Sequence, residues 1–159
     1  MTRRCAPASC ASSAGRLSYP ASASRNRASS ARHCSACNMP ESAPMLLEVC
    51  VEDIAGLKAA VAGGGDRIEL CSALPLGGLT PSAGLMAVAA KMPVPAYAII
   101  RPRAGNFVYS ADELDIMKRD IDAARSAGLP GVVLGASQPD GRLDVDTLTI
   151  LAAHAQGLG

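Results

Sequence analysis

The sequence predicts an α/β protein built on a parallel sheet. Three observations carry that expectation. From residue 45 onward, short apolar runs alternate four times with stretches of helical periodicity. Runs such as Val132-Val133-Leu134 are apolar without interruption, as strands covered on both faces tend to be. Charged residues, Glu48, Glu69 and Arg101, recur at the ends of the predicted strands. Alternation alone fits a doubly wound sheet as well as a (β/α)8 barrel. No Gly-x-Gly-x-x-Gly follows the first strand to favour a dinucleotide-binding sheet. Charge at strand ends favours the barrel, whose mouth is lined from those ends. Four βα units amount to half of one.

Each element has a sequence reason. Met45–Val51 reads as the first strand. Residues 53–62 place Ile54, Leu57 and Val61 on one helical face and stop at Gly63-Gly64-Gly65. Arg67–Cys71 is the second strand. Leu85, Val88, Ala89 and Met92 mark a second helix, with Thr80-Pro81 at its start and Pro93 beyond its end. Ala96–Arg101 is the third strand. Ser110-Ala111-Asp112-Glu113 is a capping box opening a third helix whose inward residues are Leu114, Met117, Ile121 and Ala124. Gly131–Gly135 is the fourth strand, and Leu148, Leu151, Ala152 and Ala155 belong to a fourth helix.

The chain of 159 residues is 49% apolar and 18% charged, ordinary for one globular domain. With no Trp and one Phe, the core has to come from Ala, Val, Leu, Ile and Met. No apolar run reaches the length of about 18 residues that a spanning helix needs, so no membrane partner is expected. Charge is unevenly spread. Residues 1–44 hold six Arg and one acid, Glu41, whereas residues 45–159 hold nine Lys and Arg against thirteen Asp and Glu, a net −4. That balance gives the main body no basic footprint for nucleic acid. The first 44 residues, rich in Ser, Ala and Arg, are expected to be disordered. They read either as an organelle transit peptide or as an extension preceding a natural start at Met45. The Cys34-Ser35-Ala36-Cys37 spacing within them is weak evidence for a metal.

Glu48-Val49-Cys50 and Glu69-Leu70-Cys71 repeat a carboxylate and a thiol two residues apart. Strand side chains alternate, so each pair shares a face, and neighbouring strands would aim both pairs at one mouth. Glu48, Glu69 and Arg101 could supply an acid, a base and an anion clamp, or form a structural ion-pair network. Arg101 and Arg103 flank Pro102 in a loop leading to the helix that starts after Ser110, a candidate site for a small phosphate or carboxylate. Phe107 and Tyr109 could equally staple that loop to the rim. His154 reads as a residue of a helix C-terminus and Met86, Met92 and Met117 as core filler.

Glu48-Val49-Cys50-Val51, Gly64-Gly65-Asp66-Arg67-Ile68-Glu69-Leu70-Cys71, Gly77-Gly78-Leu79-Thr80-Pro81-Ser82 and Ile100-Arg101-Pro102-Arg103 together resemble the CutC copper-homeostasis family. So do Phe107, Tyr109-Ser110 and Pro139-Asp140-Gly141-Arg142, and the resemblance runs from residue 45 to about 157. It implies a TIM barrel in the cytoplasm, serving copper tolerance or trafficking and binding Cu(I) through Cys50 and Cys71. A thiolate pair suits a soft ion such as Cu(I), although a buried free cysteine often serves only as a small apolar residue. The resemblance brings no established reaction, so an enzymatic role stays open. Leu76, Ala104 and Asn106 depart from the family pattern. A complete barrel of this type takes about 250 residues. The chain is therefore expected to be a fragment, functional or not, or to pair with a second copy.

Overall fold

A computed structural model describes residues 45–159. The expected disorder of residues 1–44 and their C-x-x-C lie outside the described residues. Four strands, β1 (Glu48–Val51), β2 (Arg67–Leu70), β3 (Ala96–Ile99) and β4 (Gly131–Val133), form one sheet in the order β1-β2-β3-β4. All three pairings are parallel. Each strand is followed by a helix: α1 (Ile54–Gly63), α2 (Ala83–Ala89), α3 (Ala111–Ala127) and α4 (Val145–His154). Sequence order equal to spatial order, with a helix at every crossover, is the arrangement of half a (β/α)8 barrel.

One sheet face builds the core. Val51, Ile68, Leu70, Ala96, Ala98 and Ile100 are buried there against Leu57 of α1, Met86 and Ala89 of α2, Met117, Ile121 and Ala124 of α3 and Leu151 of α4. Small Ala side chains at the centre of β3 let the helices approach closely, which suits a core without Trp or Phe. The opposite face carries Glu48, Cys50, Arg67, Glu69 and Tyr97, all at least partly exposed.

Helix starts follow the local chemistry. Asp53, Ser82, Ser110 and Asp144 each accept a backbone N–H of the following turn. At α3 the expected capping box is complete: Ser110 Oγ accepts from the Glu113 N–H, and Glu113 accepts from the Ser110 N–H.

The strands are shorter than the sequence suggests, and α2 starts later. Met45–Leu47 precede β1 as exposed chain, although the Leu47 carbonyl still accepts from Asp66 and Arg67. β2 ends at Leu70 because Ser72 pairs antiparallel with Leu79 and turns the chain. β3 ends at Ile99, and Arg101 bonds Thr80 through both backbone groups. α2 begins at Ala83, after the Ser82 cap, with Met86 and Ala89 as its buried residues. Ile54 and Ala152, expected to face inward, are exposed.

Candidate metal site at the strand ends

Register decides which side chains meet. Cys50 lies level with Glu69, and Glu48 lies level with Arg67. The Cys50 thiol accordingly donates to Glu69 Oε2 at 2.8 Å, while the Arg67 guanidinium pairs with the Glu48 carboxylate and stacks over the Tyr97 ring at 4.9 Å. The two glutamates therefore do not form a carboxylate pair. One is neutralised by Arg67, an ion pair that stands where the sequence offered an ion-pair network as the alternative to catalysis. The other faces a thiol.

Cys71 follows β2 directly, two residues beyond Glu69 and on the same side of the chain. It is offset from Cys50 along the barrel axis, as layers drawn from neighbouring strands require. The two thiols differ in access: Cys50 is exposed and Cys71 is 2% exposed. Both are free. The bond to Glu69, aided by burial and the charges of Glu69 and Glu48, pushes Cys50 up to about 11. Burial, with the charges of Glu69, Cys50 and Glu52, pushes Cys71 up to about 12. Both groups are thus thiols at neutral pH, poor nucleophiles until a proton leaves.

The cover over Cys71 comes from the turn after β2. A Cβ added at Gly78 would stand 3.3 Å from the Cys71 sulfur, so Gly78 faces the thiol at close range and any side chain there would crowd it. Gly77 and Gly78 adopt φ of +88° and +81°, a conformation glycine takes at no steric cost. Arg101 holds this turn. Its Nη1 donates to the carbonyls of Leu76, Gly77 and Gly78 at 3.2, 3.0 and 3.0 Å, and Nη2 donates to Gly105 at 2.7 Å. Arg101 as a whole is 6% exposed; its guanidinium lies 4.6 Å over the Phe107 ring, and Nε has no partner among the described residues.

Arg103 acts within its own loop. It pairs with Glu113 and donates to the carbonyls of Asn106 at 2.9 Å and Val108 at 2.7 Å. Both arginines singled out as anion anchors are thereby engaged in shaping the segment from 101 to 109. Tyr109 packs edge-on to Phe107, with ring centroids 6.5 Å apart, and faces Arg103 at 5.5 Å. His154 ends α4 and hydrogen-bonds Asp122 of α3 at 3.0 Å, away from the thiols.

A second feature escaped the sequence reading. A cleft of about 450 Å3 lies against α2 and α3, lined by Thr80, Ser82, Met86, Arg101, Ile116 and Asp120 among others. Burial pushes the Asp120 carboxyl up, with Thr80 opposing. Asp120 lies on a helix whose amphipathic pattern already accounts for it, so no sequence signal distinguished it.

Among the described residues no group of three or more His, Cys, Asp or Glu converges as a metal cage, and no helix is long and apolar enough to cross a membrane. What the strand ends offer is a pair of soft sulfur donors with a carboxylate beside them.

Comparison with known proteins agrees with this architecture. Residues 45–159 match the model of the CutC family. A protein of Sinorhizobium medicae described as family protein CutC is 70% identical over 115 residues, which are 72% of this chain and 47% of the relative. One from Agrobacterium fabrum with the same description is 64% identical over 115 residues, 72% of this chain and 46% of the relative. A crystal structure from Streptococcus agalactiae, provisionally described as the copper homeostasis protein CutC, superposes with a TM-score of 0.66 at 34% identity, covering 72% of this chain and 57% of that one. The chain thus spans about half the length of the curated relatives it matches. Its match along the whole described region, together with the four parallel βα units, shows that the chain belongs to the CutC family.

Proposed function

We propose that this chain serves copper homeostasis by holding Cu(I) between Cys50 and Cys71 at the open end of its half-barrel. The observation that carries the reading is the placement of an exposed and a covered thiol on one side of adjacent strands, with Glu69 level with the first. Soft thiolates select Cu(I) over hard cations. The family's description as a copper homeostasis protein in a solved relative points the same way. Thiols used in this manner must stay reduced, a condition met in the cytoplasm, where we place the protein.

Chemically, Glu69 is the natural acceptor for the proton that Cys50 loses when metal arrives. It already accepts the thiol hydrogen bond, so deprotonation needs no rearrangement of the donor. An enzymatic role for a small anion, using Glu48 and Glu69 as acid and base with Arg101 and Arg103 as anchors, has less geometric support. Glu48 is paired with Arg67, and the two arginines are bound to loop carbonyls.

Anaerobic titration of the reduced protein with Cu(I) against a competing chelator tests the proposal. Cys5, Cys10, Cys34 and Cys37 are additional thiols in the full chain, so two variants are needed. Replacing those four by Ser should leave the high-affinity site intact. Cys50→Ser/Cys71→Ser should abolish it. Unchanged affinity in the latter would remove the claim.

A further inference from the structure

The segment from Ala73 to Gly78 has the construction of a lid. Its neck is closed by two reciprocal backbone bonds, Ser72 N–H to the Leu79 carbonyl at 2.8 Å and Leu79 N–H to the Ser72 carbonyl at 2.7 Å. Between them a single 3-10 turn (Leu74–Leu76) is flanked by left-handed residues: Ala73 at φ 50° on one side, Gly77 and Gly78 on the other. Left-handed alanine is disfavoured, so the closed form depends on external ties. Two exist. Glu52, just past β1, accepts from the Leu74 N–H at 2.7 Å. Arg101, just past β3, holds three consecutive carbonyls at the other end. Pro75, Leu76 and Gly77 themselves are exposed, so little packing opposes their movement.

We propose that Arg101 is a positioning residue for the thiol site, acting as the catch of this lid: while its guanidinium holds Leu76, Gly77 and Gly78, the backbone of Gly78 shields Cys71, and release of the catch exposes the sulfur by a local movement about the Ser72–Leu79 neck. Arg101 sets how fast Cys71 is reached, while Cys50 outside the lid stays available throughout. A catch on the lid's backbone calls for an arginine bonded to carbonyls and an aromatic ring instead of a carboxylate, which is how this deeply buried one is held. Gly77, which its φ of +88° already favours, also leaves room for that head: a Cβ there would come within 2.9 Å of Arg101 Nη1. The relevance of the lid to metal rests on the Cu(I) reading above; its existence does not.

Thiol labelling of the full chain tests the lid without copper. In wild type, Cys71 should react with a maleimide far more slowly than Cys50, at a rate almost independent of urea below the unfolding transition, because a local opening exposes little surface. A urea dependence as steep as that of global unfolding would overturn the proposal, since Cys71 would then be reached only by unfolding the sheet. Arg101→Met, which keeps the length and removes the donors, should speed Cys71 labelling on the order of tenfold or more, given what a hydrogen bond to a charged group contributes. Cys50 labelling should stay within about twofold, and the amides of Ile68 and Leu70, buried in β2, should be as protected from exchange as in wild type. Unchanged Cys71 labelling in that variant overturns the role of Arg101. Should Arg101→Met fail to fold, the urea dependence in wild type decides alone. A lid confirmed in this way in a protein whose Cu(I) affinity ignores Cys50 and Cys71 would leave the lid standing and remove the copper reading.

Discussion

At the scale of single residues, the site is governed by one hydrogen bond. The Cys50 thiol and Glu69 carboxylate form a pair in which the proton stays on sulfur, because removing it would break the hydrogen bond to Glu69 and then leave two negative charges side by side. Glu69→Gln removes that penalty. Cys50 should then titrate nearer the ordinary thiol range of about 9, and its alkylation rate at pH 8 should rise on the order of tenfold. An unchanged rate-versus-pH curve would contradict the pairing. The same raised values set a pH dependence for stability. Folded Cys50 and Cys71 hold their protons above pH 9, where unfolded thiols begin to lose theirs. Their contribution is therefore complete below about pH 9 and declines as pH climbs toward 11 and 12. Urea midpoints measured from pH 8 to 10.5 should fall, and the fall should shrink in Cys50→Ser/Cys71→Ser. Much of this site was legible in the sequence: the Glu-x-Cys repeats marked the strand ends. Which glutamate meets which partner was not, because pairing is a matter of register, and register is fixed by strands nineteen residues apart in the chain.

At the scale of elements, capping chemistry and helical periodicity gave reliable guidance where both were strong. The α3 box and its buried Met117, Ile121 and Ala124 are as the pattern predicts. Ser110→Ala should lower stability by about 1 kcal/mol in urea unfolding, with the helix content of the folded state retained. Met117→Ala, at 0% exposure, should cost about 2–5 kcal/mol. Periodicity was less informative for α2, where a helix of seven residues completes barely two turns and its buried pair is Met86 and Ala89. Strand ends were overestimated because an apolar run continues past the last ladder bond, and only the partner strand determines where that bond falls. Arg101 illustrates the cost of reading charge alone. Its place at a strand end suggested an anion site, whereas its buried head serves backbone carbonyls that no sequence pattern announces.

At the scale of the whole molecule, the four described units make half of a barrel, with the polar face of the sheet turned to where the remaining strands of such a fold would stand. The β4 edge is tightly fitted. Gly159 N–H donates to the Pro130 carbonyl at 2.6 Å, and its own carbonyl accepts from the Val132 N–H at 3.2 Å, so the two bonds straddle Gly131. A Cβ at Gly131 would meet the Gly159 oxygen at 2.6 Å and the Tyr97 ring at 2.7 Å. Gly131→Ala should therefore destabilise the fold by about 1–3 kcal/mol, read from the urea midpoint, whereas Gly141→Ala, with open space around it though at positive φ, should cost less. Equal losses would show that contact at the β4 edge is not what constrains Gly131. Four-fold alternation made this architecture readable from sequence, and the family resemblance followed from motifs in the right order. The lid was not readable, since its ties run between segments that follow three different strands.

The central claim is that Cys50 and Cys71 together hold Cu(I). X-ray absorption at the copper edge addresses it most directly, recorded on reduced protein in which Cys5, Cys10, Cys34 and Cys37 are Ser and one equivalent of Cu(I) is bound. A first shell containing two sulfur scatterers, lost when Cys50 and Cys71 are also replaced, is the predicted result. A first shell of nitrogen or oxygen only, or a sulfur shell that survives the loss of both thiols, would contradict it.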